Sequence, residues 1–227
     1  MKSYWEAFWA LLFPRICLSC QQALAEGEYL LCTTCHYNLP RTQSCLTGHS
    51  TIEEKFAGKI KITSAHAYLK FQKGGKVQHL LHQLKYNNQP EVGEWLGGLF
   101  GSEIKTAGLT ADLLLPVPLH ESRLRQRGYN QSDSIAKGIS EVTGIPWRSD
   151  VLQKIKATTS QTNKSRMERF QNVANAFQVI EKNGIENQRI ALIDDVITTG
   201  STLETCAEVL LEHGCKELHI WTLATAL

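Results

Sequence analysis

The chain has 227 residues, 42% hydrophobic and 20% charged, with a formal net charge of +2. That balance suits a globular protein with room for one sizeable domain and a small one, and no segment approaches the length of a membrane-spanning helix. The charge is uneven. From Pro116 to Phe170 ten Lys/Arg stand against five acids, a local +5 that leaves −3 for the remainder, and this basic middle reads as a surface for phosphates or nucleic acid, or as a plain solvated face.

At the N-terminus, Trp5, Phe8, Trp9 and Leu12 recur at spacings of three and four. They predict a short amphipathic helix packed on a neighbouring domain, with a membrane-surface helix as the alternative. Glu6 interrupts the apolar run and no small-residue cleavage site follows, which opposes a signal peptide.

Cys17-Leu-Ser-Cys20 and Cys32-Thr-Thr-Cys35 are two CxxC pairs separated by eleven residues. One CxxC turn aims two sulfurs at a cation, and two such turns complete a tetrahedral four-thiolate site, the pattern of structural zinc. A disulfide framework and a thioredoxin-like redox pair compete with this reading. The total of seven cysteines is odd, and a redox pair stands singly beside a βαβ unit. Four thiolates would close the metal to water and leave it a folding role. Cys45 with His49, and His36 beside Cys35, are weaker ligand candidates. Cys206 and Cys215 sit in apolar sequence and read as buried core thiols.

Residues 1–42 are therefore a zinc module, 43–62 a polar connection, and 63–227 a domain of alternating strands and helices. Strands are expected over Ser64–Phe71, Leu113–Leu115, Arg189–Val196 and Leu218–Leu223. Helices are expected over Gly75–Tyr86, Glu91–Ile104, Gln131–Val142 with Asn130 as N-cap, and Ser201–Glu212 ended by Gly214. This alternation is the signature of an α/β fold, a mostly parallel sheet covered on both faces.

"ALIDDVITTGST", Ala191 to Thr202, concentrates the chemistry. A buried strand delivers Asp194 and Asp195 side by side, although adjacent carboxylates repel and each resists burial. The polar loop Thr198-Thr199-Gly200-Ser201-Thr202 then opens a helix. Ligands of open α/β sheets bind beyond the carboxyl ends of the strands. Backbone N–H groups at such a helix start cradle a phosphate, and the nearby carboxylates suit vicinal hydroxyls. Together they describe a site for ribose 5-phosphate, with the acids facing solvent, substrate hydroxyls or a metal. The plain alternative is a capped strand-turn-helix with exposed aspartates. No GxxxxGK[ST] or GxGxxG occurs, so neither a P-loop nor a dinucleotide fingerprint is present.

The segment "ALIDDVITTGST" resembles the PRPP-binding motif of type I phosphoribosyltransferases. With the paired CxxC, "HQLKYNNQPEVGEWLG", "LLLPVPLHESRLRQRGYNQS" and "TTSQTNKSRMERFQNVANAF" in this order, nearly the whole chain resembles the ComF family of competence and DNA-uptake proteins. The resemblance implies a type I phosphoribosyltransferase-like sheet flanked by helices, preceded by a zinc finger, and a PRPP site that works with magnesium. By position, Asp194 and Asp195 would hold the ribose and act as the catalytic carboxylates, with Val196 alongside. Thr198, Thr199, Gly200, Ser201 and Thr202 would hold the 5′-phosphate. Lys85 and Tyr86 would stand near the pyrophosphate. Arg123, Arg127, Gly128, Tyr129, Asn130 and Gln131 would belong to a mobile basic loop closing over the ligand. Tyr129 replaces a frequent Phe. No glutaminase activity is expected, since the early cysteines are committed to metal.

Two classes of function follow. As an enzyme the protein would transfer a phosphoribosyl group from PRPP to an acceptor that no residue pattern identifies. As a binding protein it would handle single-stranded DNA through the basic middle, or act as an adaptor among competence proteins. The implied location is cytoplasmic, with peripheral contact to the inner face of the membrane as a variant.

Overall fold

The computed structural model describes Trp9 and residues 12–47, 51–86, 88–155, 176–181 and 184–226. The helix expected around Trp5 and Phe8 lies outside the described residues. So do His49 and the basic residues Lys156, Lys164, Arg166 and Arg169.

A four-stranded, all-parallel sheet forms the centre. Its order is β1 (Ser64–Phe71), β6 (Glu217–Ala226), β5 (Arg189–Ile197) and β2 (Leu113–Pro116). The expected α/β architecture is therefore present. The apolar run in β5 has a direct cause, because a parallel strand covered on both faces buries every residue. Ala191 and Ile193 point into one core, Ile190 and Leu192 into the other. Among the described residues no helix is long and apolar enough to cross a membrane.

Among the described residues the helices in chain order are α1 (Thr33–Tyr37), α2 (Ser44–Thr47), α3 (Lys76–Tyr86), α4 (Pro90–Thr106), α5 (Glu121–Arg127), α6 (Gln131–Thr143) and α7 (Ser201–Glu212). Helices α3, α4, α6 and α7 match the sequence periodicity closely. Asn130 caps α6 as expected, its Oδ1 accepting from Ser132 N–H at 3.3 Å. The segment Glu121–Arg127, read as loop, forms α5; His120 caps it and Gly128 ends it with φ +81°. Strands β3 (Leu152–Lys154) and β4 (Phe177–Val179), absent from the sequence reading, pair antiparallel and pack on the α7 side of the sheet.

Helices α4 and α6 cross at very short range. A Cβ on Gly97 would lie 2.4 Å from the Ile135 carbonyl oxygen, and one on Gly138 2.0 Å from that of Glu94. Both obstacles are backbone, so they cannot rotate away. Replacing Gly138 by Val is expected to wedge the helices apart and lower the melting temperature by roughly 5–10 °C. A melt unchanged from wild type would show that the two backbones do not meet there.

The cysteine module is built into the same core. Cys17, Leu31, Cys35 and Leu39 pack in one cluster with residues of α3 and α4. His36 sits against Trp95 with ring centroids 5.4 Å apart. Residues 40–44 then run along the outer edge of β1. Thr42 N–H donates to Tyr68 O at 2.9 Å, Lys70 N–H to Pro40 O at 2.8 Å, and Ser44 Oγ to Ala67 O at 2.9 Å. An open edge strand invites pairing with another chain, and this segment occupies it.

The stretch 43–62, read as a polar connection, is also anchored. It holds α2 and a 3₁₀ turn at Glu53–Lys55. Ile52 and Phe56, four apart and on one side of that turn, are buried in the α7-side core.

Candidate functional site

Strand β5 ends at the carboxyl edge of the sheet, and each acid there has its own compensation. Asp195 Oδ2 accepts from Lys85 Nζ at 2.8 Å, with both side chains largely covered. Lys85 comes from the last turn of α3, so the packing of that helix on the sheet sets the ion pair. Asp194 is held differently. Its Oδ1 accepts from Ser132 Oγ at 3.2 Å and from the Asp195 backbone N–H at 2.8 Å. Burial first, and the neighbouring Asp195 charge second, push the Asp194 carboxyl up to about 7. Two like charges tolerate adjacency here because one is paired and the other holds its proton up to neutral pH. The sequence reading turned both acids outward; Asp194 instead leans on α6.

Asn130 links the end of β2 to the start of α6. Its Nδ2 donates to Val117 O at 3.1 Å and to Asp133 Oδ1 at 2.7 Å. Burial raises the Asp133 carboxyl to about 6 despite that bond. Asn130, Gln131 and Ser132 are all buried, whereas Arg123, two turns earlier, is exposed. Arg127 lies over the exposed ring of Tyr86 at 5.5 Å, and the Tyr129 hydroxyl donates to the Leu84 carbonyl. The residues named for the basic loop thus divide between an exposed helix and a buried helix start.

The loop read as a phosphate cradle leaves β5 at Ile197. Thr198 and Thr199 are exposed, Gly200 takes φ +86°, and Ser201 begins α7. Thr199 Oγ1 and Ser201 Oγ are 3.0 Å apart. With Asp194 and Val196, residues 197–203 surround a hollow of about 50 Å³ at the start of the helix. Its rim carries hydroxyls and N–H groups, the donor set an anion needs.

Lys55 and Phe56, outside the sequence prediction, and Ser132, the last residue of the predicted basic loop (Arg123–Ser132), brace this loop and the acids. Lys55 Nζ donates to Thr198 O and to Ala226 O, both at 3.1 Å. Phe56 lies so close to Gly200 that a Cβ there would be 3.2 Å from its ring. Ser132 fixes Asp194. The Ile52–Phe56 spacing of four was a readable sign of a buried helical turn; nothing local pointed to Ser132 as the partner of Asp194.

The four cysteines Cys17, Cys20, Cys32 and Cys35 converge, with all sulfurs within 4.8 Å of one another. Cys20 and Cys32 sulfurs are 3.8 Å apart, and Cys17 Sγ accepts from Cys32 N–H at 3.3 Å. That donor set fits one tetrahedral, thiolate-binding ion. His36 and Cys45 are not in the cluster. Cys45 is buried near Glu103, and burial pushes its thiol up to about 12, the state of a core thiol. Cys206 and Cys215 are buried, as expected.

Comparison with known proteins now bears on the whole chain. A phosphoribosyl transferase domain model matches residues 132–227. Competence protein F of Haemophilus influenzae is 30% identical over 92% of this chain and 96% of its own length. The DNA utilization protein YhgH of Escherichia coli K12 is 29% identical over 96% of this chain and the full length of that protein. Competence protein ComFC of Bacillus subtilis is 32% identical over 45% of this chain and 39% of its own. With the parallel sheet, the loop after β5 and the cysteine cluster in place, the chain belongs to the competence protein F (ComF) family and carries a phosphoribosyl transferase domain behind an N-terminal cysteine module.

Proposed function

We propose that the protein binds PRPP through the edge of β5 and acts in DNA uptake. The observation that carries this reading is one continuous stretch, Asp194 to Thr202, in which two carboxylates adjoin a hydroxyl-rich helix start. The 5′-phosphate takes the N–H and hydroxyl donors of Thr198–Thr202. The ribose hydroxyls meet Asp194 and Asp195. Lys85, already beside Asp195, supplies positive charge toward the pyrophosphate side. The names of the relatives, which refer to competence and DNA utilization, support the biological role.

Magnesium suits this arrangement, since oxygen donors from carboxylates and substrate phosphates are its preferred ligands. When bound, it would neutralise the leaving pyrophosphate. The chain's own contribution is the carboxylate pair, which stabilises positive charge developing on the ribose ring as pyrophosphate departs. Ser132 and Lys85 keep the two carboxylates in place for that task. The cysteine cluster, if filled by zinc through four thiolates, has no open position and serves structure.

Calorimetric titration with PRPP and magnesium tests the reading. Wild type is expected to bind, and the Asp194→Ala, Asp195→Ala double variant to lose at least a hundredfold in affinity while remaining folded. Equal binding by both proteins would remove the site from this strand.

A further inference from the structure

A broad cleft lies beside this site. It measures about 870 Å³, and its walls include Asn38 and Pro40 of the cysteine module, Lys70 and Phe71 at the end of β1, and Lys73 and Lys76 before and at the start of α3. Its volume falls within the range of small-molecule sites, roughly 300–1,000 Å³.

The cleft shares the carboxyl edge of the sheet with the phosphate loop. Phe71 pairs with Ala226, and the adjacent Thr225 pairs with Ile197, the residue before Thr198. Strands β1 and β5 are separated only by β6, so the two openings lie about 10 Å apart at the usual spacing of about 4.8 Å per strand. Lys55 connects them, since its ammonium bonds both Thr198 O and Ala226 O.

The charge of the cleft is one-sided. Lys70, Lys73 and Lys76 are exposed, no Asp or Glu lines the cavity, and none of the three makes an ion pair among the described residues. Three ammonium groups around one hollow repel each other and await an anion. Helix α3 begins at Lys76, so the positive end of its dipole adds to the same field. Phe71 and Pro40 give the wall a flat apolar portion, suited to a planar ring.

We propose that this cleft binds a nucleotide-type ligand, its phosphate among Lys70, Lys73 and Lys76 and its base against Phe71. The chemistry is shared by a free nucleotide and by the end of a single strand. Its role as the second ligand beside PRPP rests on the function proposed above; its charge and volume do not. The cysteine module then has a use beyond folding, because Asn38 and Pro40 complete one wall.

The test compares wild type with K70Q/K73Q/K76Q, three exposed substitutions whose melting curve is expected to match wild type. The probes are dTMP by calorimetry and a 5′-phosphorylated ten-residue oligothymidylate with a 3′ fluorophore by anisotropy. The variant is expected to bind the probe at least tenfold more weakly. Its salt slope should fall by about 2, as three phosphate contacts to a single strand imply, and its PRPP affinity should stay within twofold. Binding of dTMP identifies a free nucleotide as the ligand class, and binding of the oligomer alone identifies a strand. Equal probe affinity in both proteins, or no probe binding by wild type, overturns the proposal. Loss of probe binding in the variant when wild type fails to bind PRPP leaves the cleft standing and removes the ribose-phosphate reading instead.

Discussion

Replacing Cys17 by Ser, or stripping metal with a chelator, is expected to remove stoichiometric zinc and lower the melting temperature by 10 °C or more, on the order of several kcal/mol. The size follows from what the cluster holds. Residues 13–47 hold five-residue α1, four-residue α2 and isolated bridges, too little to form a core alone. Yet Cys17, Leu31, Cys35 and Leu39 are integral to the core beside α3 and α4. Losing the cluster therefore uncovers apolar surface in the main domain and frees the 40–44 segment from the edge of β1. Amide exchange should rise first in residues 12–47 and next in β1. Metal content measured by mass spectrometry, beside the melting curve, checks both halves. Full zinc occupancy in the Ser variant, or a melt insensitive to chelator, would defeat the four-thiolate assignment.

Asp194→Asn is expected to separate stability from binding. The Asp194 carboxyl titrates near 7 in the folded chain, far above the ordinary carboxylate near 4 of the unfolded one. A raised acid binds more protons folded than unfolded between those values, so it costs stability progressively as pH rises from about 4 to 7, and the full cost persists above 7. Asn cannot ionise and keeps an oxygen to accept from Ser132. The variant should thus match wild type near pH 4 and melt higher at pH 8, by on the order of 5 °C. PRPP binding should move the other way. In wild type it should strengthen as pH passes through 7 and Asp194 ionises; in the variant it should be weak and flat. A melting difference that does not grow with pH would mean that Asp194 is ionised throughout, and that Lys85 serves both acids.

Much of this site was legible in one dimension. A strand ending in Asp-Asp, followed by hydroxyls and glycine before a helix, could be placed at a sheet edge from residue types alone, and the paired CxxC spacing foretold that four sulfurs would converge. Four helices and four strands followed from periodicity, because burial of one stripe or of both strand faces imposes a repeat that residues cannot hide. Segments without a repeat were misread. Glu121–Arg127 has no apolar stripe, since α5 buries none of its residues and is held by its caps, so periodicity gave no helix there and the resemblance implied a loop. Three-residue β3 and β4 are too short to show alternation.

The sequence by itself determined the fold class, the four-cysteine pattern and the place of two adjacent acids at a strand end, because each depends on residue types at short spacing. Only the tertiary structure decided how the acids coexist. Ser132 lies 62 positions before Asp194, and Lys85 and Asp195 are further apart still, so their bonds exist only once α3 and α6 pack on the sheet. The same holds for Lys55 bridging Thr198 and Ala226, and for the lysine-lined cleft that the cysteine module helps to wall. These are meetings of distant segments, set by packing and by the parallel order of the strands, and no local pattern encodes them.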